Sequence, residues 1–299
     1  MALEKEIWLN EIVKGLFADN SFLSKAYSAD QYVNDKTVHI PNAGLPSGVK
    51  KNRTNYPAEI KVREDFDVTF SIDEFTTNPI RIPHADTVQL SYDKRESIIS
   101  SDREALQDAI AKSILNNWAP TKADQIVKTT GGEVAAYTDK ATGKRKALTK
   151  EDVAEVFTRF NRQNIPASNR YLLLDAMMYT QLLESLTDKE AVAFHGLADP
   201  ANGIVGQLYG FSVLMRSEVL IYDDNTPVEV GTKATDNAGA LAWHYDAVAR
   251  ALGEVNMFGE ENSPTYYGNI YSFLVRAGGS PKRHDGKGVV AIVQDKVGA

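Results

Sequence analysis

Five histidines are the side chains best suited to acid–base or metal chemistry near neutral pH. They stand far apart, at His39, His84, His195, His244 and His284. No pair has the i, i+4 spacing that sets two imidazoles on one helix face, and no H-E-x-x-H is present. A metal site would have to be assembled from distant histidines and aspartates. Asp223-Asp224-Asn225 has the acidic start of a calcium loop without its glycine or distal glutamate. The segment GGSPKRHDGKG, residues 278–288, has the glycines and cations that could cradle a phosphate. It lacks the G-x-x-x-x-G-K-[ST] order, because Lys287 is followed by Gly288, and no helix comes after it to lend its N-terminus. It reads instead as a hairpin loop. No G-x-S-x-G elbow is present. There is no cysteine, which excludes disulfides, thiolate metal sites and a thiolate nucleophile. No catalytic, cofactor-binding or metal-ligating set emerges, and the expectation is a non-enzymatic protein without a cofactor.

The chain has 299 residues, room for one large domain or two smaller ones, and 43% of them are hydrophobic, enough for a real core. No apolar run approaches the ~20 residues that a bilayer-spanning helix needs, and the start, MALEKEIWLN, has no secretory n- and h-region. No membrane partner is expected. The formal net charge is −7. A nucleic-acid reader usually presents a basic face, so tight DNA binding is disfavoured. An acidic balance suits a surface that faces DNA without adhering to it.

The elements around these residues are more informative. DKRESIISSDREALQDAIAKSILNNW, residues 93–118, is the clearest helical passage. Ile99, Leu106, Ile110 and Ile114 form one apolar stripe at helical period, and Pro120 ends it. Ser101-Asp102-Arg103-Glu104 has the form of a capping box, so Ser100-Ser101 could divide a short lead-in from a helix over Asp102 to Trp118. Before it lies the best strand signal. Ile60, Val62, Phe66, Val68, Phe70 and Ile72 hold the even positions, while charged and hydroxyl residues hold the odd ones. Such alternation makes one dry and one wet face. Ile80, Ile82, Val88, Leu90 and Tyr92 keep the same parity beyond a turn near Thr76-Thr77-Asn78-Pro79, which predicts a long two-stranded hairpin. A lone hairpin is marginal in water, so its dry face must lie on this chain's body or on a neighbour.

Elsewhere, residues 3–17 can form an amphipathic helix. Asn20 to Asp35, polar with Phe22, Tyr27 and Tyr32, reads as an arm docked on another surface. Asn42 to Pro57 is a basic loop carrying Lys50, Lys51 and Arg53. Ile126-Val127 and Val134 to Tyr137 flank Gly131-Gly132 as a hairpin. Thr149 and Asp152 open a helix with Val153, Val156, Phe157 and Phe160 on one face. Tyr171 to Leu174 is a buried strand, and Ala176 to Leu186 a helix whose Met177 and Met178 fill the core. Residues 187–202 read as a polar loop, 203–217 as a turn into a strand, 223–237 as an acidic surface loop, and 240–251 as a short strand then a helix. Ile270 to Arg276 and Val289 to Val293 are strands. With no regular βαβ repeat, the class is α+β.

This order of parts resembles the major capsid proteins of tailed double-stranded DNA bacteriophages, with the Hong Kong 97-type fold. The passages that carry the resemblance are DVTFSIDEFTTNPIRIPHADTVQLSYDKR, the helix ending at Trp118, Arg170 to Leu174, GIVGQLYGFSVLMRS, ALAWHYDAVARALGEV and the closing NIYSFLVRAGGSPKRHDGKGVVAIV. The resemblance implies an N-terminal arm (1–37), an extended β-hairpin loop (38–92) and a peripheral domain with a spine helix (93–150). An axial domain (151–263) and closing strands shared by both (264–299) would complete it. It further implies hexamers and pentamers of this chain in an icosahedral shell around double-stranded DNA, without sequence-specific contact. The loop's dry face (Ile60, Val62, Phe66, Val68, Phe70, Ile72) and the arm (Phe22, Tyr27, Tyr32) would lie on neighbouring subunits. Phe66→Asp or Phe70→Asp would then block assembly and spare the fold. A separate scaffolding protein, a portal and a decoration protein are the implied partners, and the virion capsid, assembled in the host bacterial cytoplasm, is the implied location. An encapsulin-type shell around cargo enzymes shares the fold and is the alternative.

Overall fold

The computed structural model describes residues 21–34, 36–42, 51–54, 56–57, 60, 66–83, 94–283 and 285–297. The helix expected over 3–17 and the return strand expected at Val88 to Tyr92 lie outside them. In chain order, β1 (Tyr27–Ser28), β2 (Val33–Asn34), β3 (Thr37–Asn42), β4 (Phe66–Ser71), β5 (Asp73–Thr76) and β6 (Ile80–Pro83) precede the long helix α1 (Lys94–Trp118). Next come β7 (Ile126–Lys128), β8 (Glu133–Ala135), β9 (Lys144–Lys146), α2 (Lys150–Arg162), β10 (Arg170–Asp175), α3 (Ala176–Ser185) and α4 (Asp188–His195). The chain closes with β11 (Ile204–Leu208), β12 (Phe211–Arg216), β13 (Leu220–Asp223), β14 (Thr226–Val228), β15 (Asn237–His244), β16 (Val248–Ser263), β17 (Gly268–Pro281) and β18 (Val289–Val293).

α1 is a single helix of 25 residues, continuous through Ser101. Ser101 and Glu104 are exposed on its surface and cap nothing. The S-x-x-E pattern is a start signal only where the chain before it leaves the helix, and here the preceding turn is already helical. The expected stripe is real. Leu106, Ile110 and Ile114 are buried, joined by Ala111, Leu115 and Trp118.

That stripe lies on a five-stranded sheet ordered β1-β16-β17-β5, with β6 also on β17. The β16–β17 ladder is the longest in the chain, from Val248↔Pro281 to Ser263↔Gly268. Phe273, Val275 and Ala277 share one core with the helix stripe. Close approach is needed at Gly279, where an added Cβ would lie 2.7 Å from Trp118 Nε1 and 2.9 Å from Ile114 Cγ2. The helix expected near Tyr245 to Ala251 is therefore a short 3-10 turn, Tyr245–Ala247, running into β16. Val248, Ala249 and Ala251 are buried by cross-strand pairing, and that tertiary gain overrides the helix-forming Ala, Arg and Leu.

The second sheet runs β11-β12-β10-β15-β13-β14, with β18 on β15 and β7 on β18. All eight residues of β15 and all five of β18 are buried. Strands buried on both faces need no alternation. Two further expectations change. β7 pairs in parallel with β18, and β8 pairs with β9, so Ile126-Val127 and Val134 do not form a hairpin with each other. Residues 188–195 are helical, started by a capping box between Thr187 and Glu190. The T-x-x-E signal was present at Thr187, with the apolar Val192 and Phe194 after it. The α+β class holds, and the Thr149–Asp152 capping box opens α2 as expected.

A buried acid closes this second layer. Asp175 accepts from Met178 N at 2.6 Å, capping α3, and from Tyr137 Oη at 2.6 Å. Burial raises its pKa, partly opposed by those hydrogen bonds, and pushes the Tyr137 phenol far up. Tyr137→Phe is expected to cost about 1.5–3 kcal/mol, the range for a hydrogen bond to a charged group. Equilibrium urea unfolding checks this. A midpoint equal to that of the wild type would mean that the phenol carries none of the load.

Candidate assembly surface

The histidines do not converge. His39 lies exposed on β3, His195 ends α4 and His244 ends β15, while His84 and His284 are outside the described residues. Among the described residues no group of three or more His, Cys, Asp or Glu could hold a metal ion. Asp223 and Asp224 form the turn between β13 and β14, with Asp223 paired to Lys233 at 2.5 Å. Gly286 and Gly288 adopt positive φ in a loop that Gln125 and Gln163 tie down by side-chain hydrogen bonds. No described helix is long and apolar enough to cross a membrane.

The strand and arm residues are placed more decisively. β4 pairs with β3, Phe66↔Asn42 through Ser71↔Thr37. Among the described residues it does not pair with Ile80 to Pro83, because β5 and β6 are drawn onto β17 instead. The even–odd alternation holds: Asp67, Thr69 and Ser71 are exposed, Val68 and Phe70 half-buried, and Ile72 buried at 5% exposure. The covering partner is this chain. Val68, Phe70 and Ile72 pack with Val38, Ile40, Ala249 and Ala251, and with Tyr27, Tyr32 and Val33 of the arm. Ile72 is thus buried in the subunit's own core, while Val68 and Phe70 pack on it and stay half-exposed. Ile60, by contrast, is 92% exposed and Tyr56 76% exposed. Val62 lies outside the described residues.

The arm also docks on its own chain. Phe22 is buried and meets the Trp118 ring edge-on at 6.1 Å. Trp243 Nε1 donates to Lys25 O and Arg250 Nε to Leu23 O. β1 pairs in parallel with β16 at Ala249 and Arg250, and Asp30 Oδ1 accepts from Leu252 N at 2.7 Å. Phe22 is therefore seated in the core of its own chain. Tyr27 and Tyr32 stay half-exposed, with Lys282 Nζ 3.8 Å above the Tyr27 ring.

Other apolar groups stand out to solvent. Tyr266 and Tyr267 stand at the tip of the β16–β17 hairpin, and Phe258 is exposed further down β16. Beyond Arg250, β16 has no described strand on its outer side. Open edges of that kind template pairing with another chain, and Glu254, Glu260 and Glu261 together with two bulges blunt this one. Around the other sheet, Met177 of α3, Val192 of α4, Leu197, Tyr209 and Met215 of β12 are exposed. Met178 fills the core as expected, but Met177 faces out, because only one of two adjacent helical positions can face the sheet. Phe258, Tyr266 and Tyr267 were missed because the expected helix ended at Ala251 and no element was assigned between it and the strand at Ile270. The S-P-T-Y-Y-G turn between two strand patterns was the available signal.

No protein-family model matches the chain, and no curated protein matches it in sequence. Solved structures do match in three dimensions. The capsid of cyanophage P-SCSP1u superposes with a TM-score of 0.62 at 15% identity, covering 92% of this chain and 87% of that one. The capsid of Ralstonia phage GP4 gives 0.61 at 13% identity, covering 92% and 88%. The chain has the Hong Kong 97-type fold. A virus-like particle from Pyrococcus furiosus is also similar, with a TM-score of 0.56 at 10% identity over 97% of this chain and 99% of that one. Within the Hong Kong 97-type fold, α1 is the long helix on which the β16–β17 hairpin lies, and Tyr56 and Ile60 belong to the segment between β3 and β4.

Proposed function

We propose that this protein is the major capsid protein of a tailed double-stranded DNA bacteriophage. In this reading it is a structural subunit that assembles into hexamers and pentamers of an icosahedral shell. The observation that carries the reading is the whole-chain match to phage capsid subunits, about nine-tenths of both chains. The exposed Tyr56 and Ile60, on a segment whose ends are held by the β3–β4 ladder, support it. Large apolar groups left in water mark contact surfaces.

The proposed parts are the arm over 1–37, the extended loop over 38–92, the peripheral part from 93 to 150, the axial part from 151 to 263 and the closing strands from 264. A boundary at residue 263 would separate β16 from β17, which share one ladder, so both are better grouped with α1. The proposed intersubunit contacts on the loop are Ile60, Val62, Phe66, Val68, Phe70 and Ile72, to which the exposed Tyr56 is added, and those on the arm are Phe22, Tyr27 and Tyr32. Packaged DNA would be enclosed without sequence-specific contact. A scaffolding protein, a portal and a decoration protein are the proposed partners, and the virion, assembled in the host bacterial cytoplasm, the proposed location. An encapsulin-type shell around cargo enzymes is the second reading, favoured by the end-to-end similarity to the Pyrococcus furiosus virus-like particle.

Electron microscopy of the expressed chain is expected to show closed shells, formed alone or with co-expressed scaffolding protein. Particles from the source that contain DNA support the capsid, and particles filled with folded enzyme support the second reading. A monodisperse monomer or dimer under every condition would overturn both.

A further inference from the structure

His244 stands where the two sheets exchange chain. It is the last residue of β15, and the 3-10 turn Tyr245–Ala247 carries the backbone from the second sheet into β16 of the first. The return crossing, from β17 to β18, passes against it: His244 N donates to Gly288 O at 2.9 Å, and Lys282 N donates to Ala247 O at 2.8 Å. Tyr245 N donates to Asn169 O, which pins the turn to the start of β10. The buried imidazole holds this junction from inside, because Nδ1 accepts from Asp246 N at 3.2 Å.

An imidazole can accept at Nδ1 only while neutral, since both nitrogens donate once it is protonated. Directly across the ladder, in register with His244, is Arg170. Its guanidinium is buried and donates to Pro166 O, Ile165 O and Asn161 Oδ1, with the rings of Phe157, Phe160 and Phe211 within 6.0 Å. No carboxylate neutralises it among the described residues. Asp246, exposed, is the acidic group on the turn itself. Gly288 brings no charge, and its neighbour Lys287 pairs with Asp285 at 3.4 Å.

We propose that His244 is an acid-sensitive latch on the junction between the two sheets. Protonation removes the acceptor for Asp246 N and places a second cation beside Arg170, and the turn over 245–247 with its neighbour crossing loosens. Burial, and to a lesser degree Arg170, holds the imidazole below its ordinary pKa, against the opposite pull of Asp246 and the Ser168 backbone. Linkage fixes the sign. The opened junction exposes an ordinary imidazole that takes up a proton near pH ~6.5, while the closed one stays neutral to lower pH. Acid therefore favours opening between the two values, and the effect levels off below the lower one. The device is independent of what the shell encloses.

Amide hydrogen exchange of the full chain, assembled or not, tests it across pH 5–8, with intrinsic rates divided out. Protection of peptides spanning 244–249 and 282–289 is expected to fall by up to about tenfold per pH unit below the ordinary imidazole range. It should stay flat in His244→Asn, whose Oδ1 can replace Nδ1 as acceptor. Imidazole C2–H exchange on the same samples reads His244's own titration, expected below the ordinary value. An equal fall in His244→Asn, unchanged protection in the wild type, or a His244 that titrates at or above the ordinary value would each overturn the proposal. Should His244→Asn not fold, the wild type alone decides: protection must level off at the pH where His244 titrates, and a mismatch overturns it.

Discussion

Trp118→Ala should lower the stability of the unassembled chain by about 3–5 kcal/mol, the range for emptying a large buried aromatic site. Trp118 is fully buried at the end of α1. Its ring meets Phe22 of the arm and lies 5.8 Å from Trp243 of β15, and its Nε1 donates to Ala249 O of β16 at 2.9 Å. Gly279 of β17 leaves the room it occupies. One side chain thus joins arm, helix and both sheets, and alanine would leave a cavity lined by the Phe22 and Trp243 rings and the backbone at Gly279. The buried indole hydrogen bond to Ala249 O would also be lost. Denaturant unfolding tracked by far-UV circular dichroism gives the number. A loss under about 1 kcal/mol, the size of an ordinary surface change, would show that the four elements are held together elsewhere.

A paired substitution separates shell contact from subunit core on the strand that first pointed to assembly. Ile60→Asp is expected to change stability by no more than about 0.5 kcal/mol, as surface substitutions do, and to abolish shells in electron microscopy and sedimentation. Ile72→Asp is expected to cost about 3 kcal/mol or more, because it buries an unpaired carboxylate. Its side chain lies against Gly253 and Gly278, inside the cluster that seats the arm. Phe70→Asp should behave like Ile72→Asp in kind, with a smaller cost for its half-buried position. Normal shells from Ile60→Asp would remove the loop from the assembly surface. Loss of the folded subunit would place Ile60 in the core.

How much of the fold was legible in residue order depends on how local the cause is. α1 was legible because Leu106, Ile110 and Ile114 recur at helical period and Pro120 stops the helix. The Thr149 capping box, the buried strand at Tyr171 to Leu174 and the parity of Val68, Phe70 and Ile72 are equally local. Each depends on which groups lie within one turn or one pleat of each other, and composition and order decide that.

Partnership was not legible. The same parity that makes one face of β4 dry is silent on whether Val38 and Ala249 of this chain cover it or another copy does. It is also silent on whether β4 pairs with β3 or with the segment beyond Thr76. Those choices depend on loop closure and on the total area buried, summed over residues far apart in sequence. Val248 to Ala251 is the clearest case, since residues read as helix become the start of the long strand β16 once β17 offers a ladder. The residues alone determined an α+β chain with a dry-faced strand and a proline-stopped helix, and their order resembled shell subunits. Only the tertiary structure decided that the strand and arm complete their own subunit, that Ile60 is left to face outward, and that His244 lies at the crossing between the sheets, because burial is a property of the packed whole.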